Sequence, residues 1–396
     1  MVTEYAYPIL GGVSEHVHFL SRELVALGHD VTVVTGRSDS AAGLAEIDRA
    51  AERDVGYRTA RIGRALPVPS NGSIARITVP LRRSALPRLL DGYDVVHAQG
   101  LVGSMLPLGA VAVSRAPVTV GTFHTYTEGS THWAYRMFHR RLTGWLDRLD
   151  RRIAVSQACV DGLTPSFPGR YDVIPNGVDC ERFRPLHPDE ALPDGPPRIL
   201  FVGRLEPRNA LSDLLRAGAE LAASGREFVI QVAGDGPTRG VSERLAARLG
   251  IADRVEWLGR IHDDLPRRYR EATVFAAPCT LASFGVILVE ALASGTPLVC
   301  ADNVGFREVV KDGMPGRFVP MRDPHALAIG LGEVLDDPVL RGESSIRGRA
   351  LTAERYEWRG VALQVEALYR EVAGGVGRRD GQQTEPTSPV AGPAAI

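Results

Sequence analysis

After residue 197 the chain starts over. From residue 11, "GGVSEHVHFLSRELVALGHDVTVVTG" reads as a glycine turn, a helix and a buried strand. Val13, Val17, Leu20, Leu24 and Leu27 recur at helical spacing, and Gly28 closes the helix. Further strands read at 94–100, 118–124, 151–156 and 171–174. A Pro-rich, acidic linker follows, "RPLHPDEALPDGPP" (184–197). Then the alternation resumes: "RILFVGRL", a helix at 210–224, "EFVIQVAGDGP", a helix at 241–249, "VEWLGR", "TVFAAP" and "TPLVCAD". Strands alternating with helices, twice over, predict an α/β protein of two Rossmann-like, doubly wound parallel sheets. A length of 396 residues suits two such domains.

The two ends read differently. Only Met1 and Val2 precede "TEYAYP", short for the first buried strand of an α/β domain, so a start lying further upstream is expected. A last helix is expected over 354–373, and the Gly/Pro-rich tail 374–396 reads as disordered.

Composition mostly excludes. The net charge of −1 gives no general call for nucleic acid. Cys159, Cys180, Cys279 and Cys300 lie far apart, with no CxxC pair, so a reducing cytoplasm fits. No apolar run approaches the roughly 18 residues of a membrane span, and no signal peptide is read.

Four local features suit one ligand type. Gly11 and Gly12 stand between a strand and a helix, where a backbone can approach a phosphate; a tight turn is the competing reading. Arg204, in "FVGRLEPRN", lies beyond a strand's carboxyl end, the edge where open α/β sheets bind ligands; a solvated arginine is the alternative. "VAGDGP" (232–237) puts Gly234 in a second such turn, or in a plain one. In "LASFGVILVEALASGTPLV" (281–299), Ser283 is expected to cap a helix from Phe284 to Ser294, whose free N–H groups make an anion site. Glu290 lies about two turns on, among Leu288, Val289, Ala291 and Leu292. An acid amid such neighbours is expected to be partly buried and partnered, and it can hold both hydroxyls of a ribose. In this order the features suit a nucleoside diphosphate.

With these stretches the chain resembles the retaining GT-B glycosyltransferases of the E-x7-E family, over about 1–373. The matching segments are "GGVSEHV", "GTFHTY", "RIAVS", "IPNGVD", "FVGRLEPR", "AGDGP", "SFGVILVEALASGTPLV" and the tryptophan of the last helix. It is most similar to phosphatidylinositol mannosyltransferases, whose acceptor-side loop "VPSNGSIARI" (68–77) resembles. The resemblance implies two domains facing a cleft. Residues 1–180 would bind the acceptor, 196–353 the donor, and helix 354–373 would cross back to the first domain.

The resemblance also implies roles. Gly12, beside Gly11, would donate its N–H to the donor diphosphate. His124 would sit beside the donor sugar and reacting centre, a core histidine being the plainer reading. Arg204 would neutralise the leaving diphosphate, Glu290 would hold the ribose, and Ser283, Phe284 and Gly285 would line the diphosphate. Asn71 and Arg76 match the acceptor loop. No DxD-type metal motif stands out, and no cofactor or essential metal is expected.

Four positions depart from the pattern. The family's sugar-binding Glu falls at Ala282, and its second diphosphate cation, a Lys, falls at Asn209. On the acceptor side Ser70 replaces a Tyr, and an expected Lys falls at Gly129. Losing one such cation costs on the order of 3 kcal/mol of transition-state stabilisation. The implied function is retaining transfer of a hexose, GDP-mannose before UDP-glucose, to a lipid or polyol phosphate. The alternative is a degenerate or disabled relative that binds nucleotide or membrane with little turnover. "ARITVPLRRSALPRLL" (75–90) carries Arg76, Arg82, Arg83 and Arg88 among apolar residues. It suits an anionic membrane surface or, equally, a helix with a solvated basic face. A cytoplasmic protein, peripheral at the inner membrane, is the expected setting.

Overall fold

A computed structural model describes residues 1–7, 9, 11–37, 56–70, 73–79, 85–101, 103–125, 142–187, 189–190, 192–310 and 316–381. Side chains at 66–76, 79 and 376–381 are not among those described. Asn71, Arg82, Arg83 and Gly129 lie outside the described residues, as does the tail from 382.

Both parallel sheets form. The first runs β3-β2-β1-β6-β7-β8-β9: β1 (Val2–Thr3), β2 (Thr32–Gly36), β3 (Arg58–Ile62), β6 (Val95–Gln99), β7 (Val118–Phe123), β8 (Arg151–Ala154) and β9 (Asp172–Val173). The second runs β12-β11-β10-β13-β14-β15: β10 (Arg198–Val202), β11 (Val229–Ala233), β12 (Val255–Gly259), β13 (Val274–Ala277), β14 (Leu298–Ala301) and β15 (Gly316–Val319). Their central strands are almost wholly buried apolar runs, as strands covered on both faces require. Each sheet reverses strand order once, at β1/β6 and at β10/β13. These switch points open the crevices where α/β sheets take ligands.

The two halves share packing. Ala154, Val155, Cys159 and Val178 belong to the same core as Leu200, Phe275, Phe284 and Leu288. The helix Pro338–Arg355 ends at Tyr356, and the closing helix Trp358–Gly381 begins after it. There the Val178 N–H donates to the Tyr356 carbonyl at 2.6 Å. Gly177 lies so close under the Trp358 ring that no Cβ fits. Val361, Ala362, Val365 and Leu368 then pack on Leu20, Leu24, Val120 and Ile153 of the first half.

Several sequence expectations are corrected. The acceptor-side segment 68–77 falls largely in strand: Arg64–Ser70 (β4) and Ser73–Val79 (β5) pair antiparallel. Pro67 and Pro69 hid the first strand, and a two-stranded edge tolerates both. Among the described residues, the basic stretch 75–90 is strand to Val79 and helix over Ala85–Leu89. The helix after β13 starts at Val286 and ends at Ala293, rather than running from Phe284 to Ser294. Its N-cap is Gly285, at φ +120°, and no side chain caps it, so Ser283 has no capping role. The closing helix continues through Gly374 and Gly375 to Gly381, where disorder was expected; their low propensity is outweighed by the docked turns before them.

Candidate functional site

Two helices open at the crevice. Gly12 begins the helix Gly12–Ala26, with Gly11 as its N-cap. Nothing lies within 4 Å of where a Cβ on Gly12 would stand, so its backbone faces open space. Between the halves Gly12 lines a small cavity with Glu15, His16, Asn176, Glu290 and Trp358. Glu290 and Gly12 thus reach one space from opposite halves. Ser156 adds a clasp across the same boundary: its hydroxyl caps the helix Gln157–Leu163 and donates to the Ser283 carbonyl at 2.5 Å.

Glu290 has a partner inside its own half. The buried Tyr269 hydroxyl donates to its Oε2 at 2.9 Å. Burial pushes the Glu290 carboxyl up to about 7, against the bond from Tyr269, which pulls it down. Phe284, expected in the donor site, has a buried side chain with its ring against Tyr356. Gly285 is needed for its backbone: its φ is +120°, and a Cβ would meet Phe306. Gly234 is likewise a packing requirement, because its backbone lies against the Gly203 carbonyl with no room for a Cβ. Ala282 is half-buried in the loop before Gly285, its carbonyl against Gly305.

Beyond β10 the structure supplies a residue the sequence reading passed over. Glu206 is buried, and its Oε1 lies 3.0 Å from Arg204 Nη2 while Oε2 lies 3.3 Å from Arg208 Nε. One carboxylate therefore holds two half-exposed guanidiniums at the sheet edge. An acid set between two arginines in "GRLEPR" was the available signal. Asn209, at the expected lysine position, turns inward: its Nδ2 donates to the Arg204 carbonyl at 2.6 Å and its Oδ1 accepts from Cys279 Sγ at 3.4 Å. The Arg208 carbonyl accepts from Thr280 N at 2.8 Å. The arginine loop is thereby tied to the loop that leads to Gly285.

The first half presents histidines. His124 follows β7, and its Nε2 is 2.8 Å from Gln99 Oε1. Its ring meets that of His16 edge-on, with centroids 4.6 Å apart. His16 Nδ1 is 2.9 Å from Asn176 Oδ1, while its buried Nε2 has no hydrogen-bond partner among the described residues. Burial drives the His16 pKa down to about 4 and holds His124 well below the ordinary range, so both are neutral at pH 7. Glu15, also unremarked in the sequence reading, accepts from the Tyr7 hydroxyl at 2.7 Å and faces His262 of the second half at 3.6 Å.

The acceptor residues are less fully placed. Arg76 pairs with Pro67 across β4 and β5, and Asn71 lies outside the described residues. Among the described residues no cluster of His, Cys, Asp and Glu is arranged to hold a metal ion. None of the described helices is long and apolar enough to cross a membrane.

Comparison with known proteins agrees with this arrangement. Residues 10–182 match Glycosyltransferase Family 4, and residues 183–350 match Glycosyl transferases group 1. The chain is 33% identical over 380 residues to the phosphatidyl-myo-inositol mannosyltransferase of Mycobacterium leprae (strain TN), covering 94% of this chain and 96% of that one. It is 27% identical to a glycogen synthase of Mycobacterium tuberculosis, over 98% of this chain and 96% of that one. Among solved structures, sucrose-phosphate synthase from Thermosynechococcus elongatus superposes with a TM-score of 0.72 at 22% identity, covering 94% of this chain and 99% of that one. Anabaena HepE in complex with UDP-glucose gives 0.72 at 18% identity, covering 93% and 99%. These last two speak for the fold alone.

Proposed function

The chain belongs to Glycosyltransferase Family 4, and on that premise we propose that it is a retaining hexosyltransferase using GDP-mannose before UDP-glucose. Its acceptor is a lipid or polyol phosphate. The observation that carries this reading is the shared cavity, where Gly12 at one helix start and Glu290 from the other half face each other. A backbone N–H and a carboxylate so placed suit a diphosphate and its ribose. The mannosyltransferase relatives favour mannose and an inositol-phosphate acceptor.

In the proposed reaction an acceptor hydroxyl attacks the anomeric carbon on the face the diphosphate leaves. The new glycosidic bond forms as the carbon–oxygen bond to the diphosphate breaks, and the hydroxyl proton passes to the departing phosphate. Arg204 neutralises that phosphate as charge develops. The arginines take the cationic role, so no essential metal is expected. His124 stands beside the sugar. Peripheral attachment at the inner membrane face belongs to the same proposal, with exposed Arg88 as one anionic-lipid contact.

The test is release of nucleoside diphosphate from GDP-mannose, UDP-glucose and UDP-N-acetylglucosamine, with phosphatidylinositol in anionic vesicles as acceptor. GDP-mannose should turn over fastest, with mannolipid formed and the protein sedimenting with vesicles at low salt. Turnover with UDP-N-acetylglucosamine alone sinks the donor assignment. Failure to sediment sinks the membrane part.

A further inference from the structure

Behind His124 lies a hydrogen-bonded chain that ends on the closing helix. Gln99, the last residue of β6, offers its Oε1 to His124 Nε2 at 2.8 Å. Its Nε2 faces two acceptors, Met1 Sδ at 3.8 Å and His97 Nε2 at 3.3 Å. His97 Nε2 also meets the Thr122 hydroxyl at 2.6 Å, and its Nδ1 meets the Tyr369 hydroxyl at 2.6 Å. Gln99, His97 and Thr122 are buried. Tyr369 belongs to Trp358–Gly381, the helix that returns from the second half.

With Gln99 Nε2 donating to the Met1 sulfur, every donor and acceptor in this chain is matched. An amide –NH₂ only donates, so with Gln99 Nε2 toward sulfur and His97, its oxygen faces His124. His97 Nε2 then accepts, and its single proton sits on Nδ1, toward Tyr369. Gln99 Oε1 only accepts, so the proton of His124 sits on Nε2 and its Nδ1 is bare. Turning the amide over would reverse the His124 tautomer and set an oxygen against sulfur.

We propose that Gln99 is a positioning residue that fixes His124 as its Nε2–H tautomer, and that Tyr369 secures Gln99 through His97, so the state of His124 depends on the docked closing helix. The kinetic consequence rests on the reading of His124 as a residue of the transfer site; the tautomer itself does not. A bare Nδ1 can accept a sugar hydroxyl, whereas a protonated one cannot. Both His97 and His124 are kept neutral by burial, so each carries a single ring proton to be placed.

The test is nitrogen-15 spectroscopy of the histidine rings in the full chain at pH 7, with Gln99→Leu and Tyr369→Phe as variants. His124 in the parent should be the Nε2–H form, Gln99→Leu should give a mixture, and Tyr369→Phe should move part of the way. With a nucleotide sugar that the parent turns over, Gln99→Leu should lower kcat by about tenfold with KM for the donor within about twofold. Tyr369→Phe conserves the ring, so it decides the matter should Gln99→Leu fail to fold. An Nδ1–H form in the parent, or one tautomer throughout the set, overturns the proposal. A shifted tautomer with unchanged kcat upholds the positioning and counts instead against His124 as a transfer-site residue.

Discussion

At the carboxyl edge of the second sheet a buried carboxylate, Glu206, holds Arg204 and Arg208. In the first half, His124 and the histidines packed near it, His16 and His97, are kept neutral by burial, with Glu15 the carboxylate beside them. The arginine edge carries paired charge, and the histidines of the other half carry directed donors and acceptors. A diphosphate needs the first, because its charge grows as the sugar leaves. A sugar needs the second, because hydroxyls are told apart by which nitrogen bears the proton. The difference also separates two kinds of damage. Changes on the arginine edge should be felt in nucleotide affinity, and changes on the histidine edge mainly in rate.

The largest effect that can break this comparison is at Arg204. Arg204→Ala should weaken GDP or UDP binding by about 1.5–3 kcal/mol. Glu206 would keep Arg208, so the fold should be unaffected. Titration calorimetry with the free diphosphates measures it. Unchanged affinity would take Arg204 out of the site and leave the arginine edge without its proposed role.

Glu290 sharpens the comparison, being a carboxylate near neutrality on the charged side. Its pKa rises from an ordinary 4.5 to about 7 on folding, because burial penalises the anion. The folded state therefore holds a proton between these values that the unfolded state has lost. That stabilisation is complete below 4.5 and is lost as pH rises through about 7. Glu15, Arg182 and His262 are the charged groups that face Glu290, so the difference between parent and variant reads the carboxyl together with its coupling to them. From pH 5 to pH 8 the parent should lose roughly 2 kcal/mol more stability than Glu290→Gln, a figure discounted for its partial exposure. Denaturant unfolding at both pH values reads this difference, and parallel losses would show that Glu290 folds as an anion.

How far the sequence reveals these two edges follows from how local each signal is. Strands β10, β11, β13 and β14 are apolar runs between glycines and helices, so their period and punctuation show them directly. β15 has only four residues, two of them exposed, and carries no such run. The hairpin β4–β5 is obscured by its prolines. In the site, Gly12 and Glu290 are legible because helix starts and acids in apolar runs are local signals. Gln99 is not, since its meaning comes from His124, 25 residues on, and from a His97–Tyr369 contact 272 residues apart. Glu206 was within reach, but its burial is set by the loop's ties to Thr280 and Cys279.

The smallest expected effect tests the two departures from the family pattern. The residues proposed to contact the nucleotide, Glu290, Arg204 and Gly12, are present, while Ala282 supplies no acid and Asn209 no cation. We expect the parent to bind nucleoside diphosphate but to turn over its donor slowly, because what is missing acts on the sugar and the developing charge. Ala282→Glu with Asn209→Lys should raise turnover about tenfold, equal to roughly 1.4 kcal/mol of barrier. Asn209→Lys alone should do little, since a lysine there cannot keep both the bond to the Arg204 carbonyl and the one from Cys279. Ala282→Glu alone should recover part of the rate, its carboxylate gripping sugar hydroxyls while repelling the diphosphate until a cation offsets it. Transfer and hydrolysis measured with one donor across all four proteins decide the matter. A fast parent slowed by the double change would mean that Arg208, oriented by Glu206, already supplies the second charge, and that the arginine edge is complete without lysine.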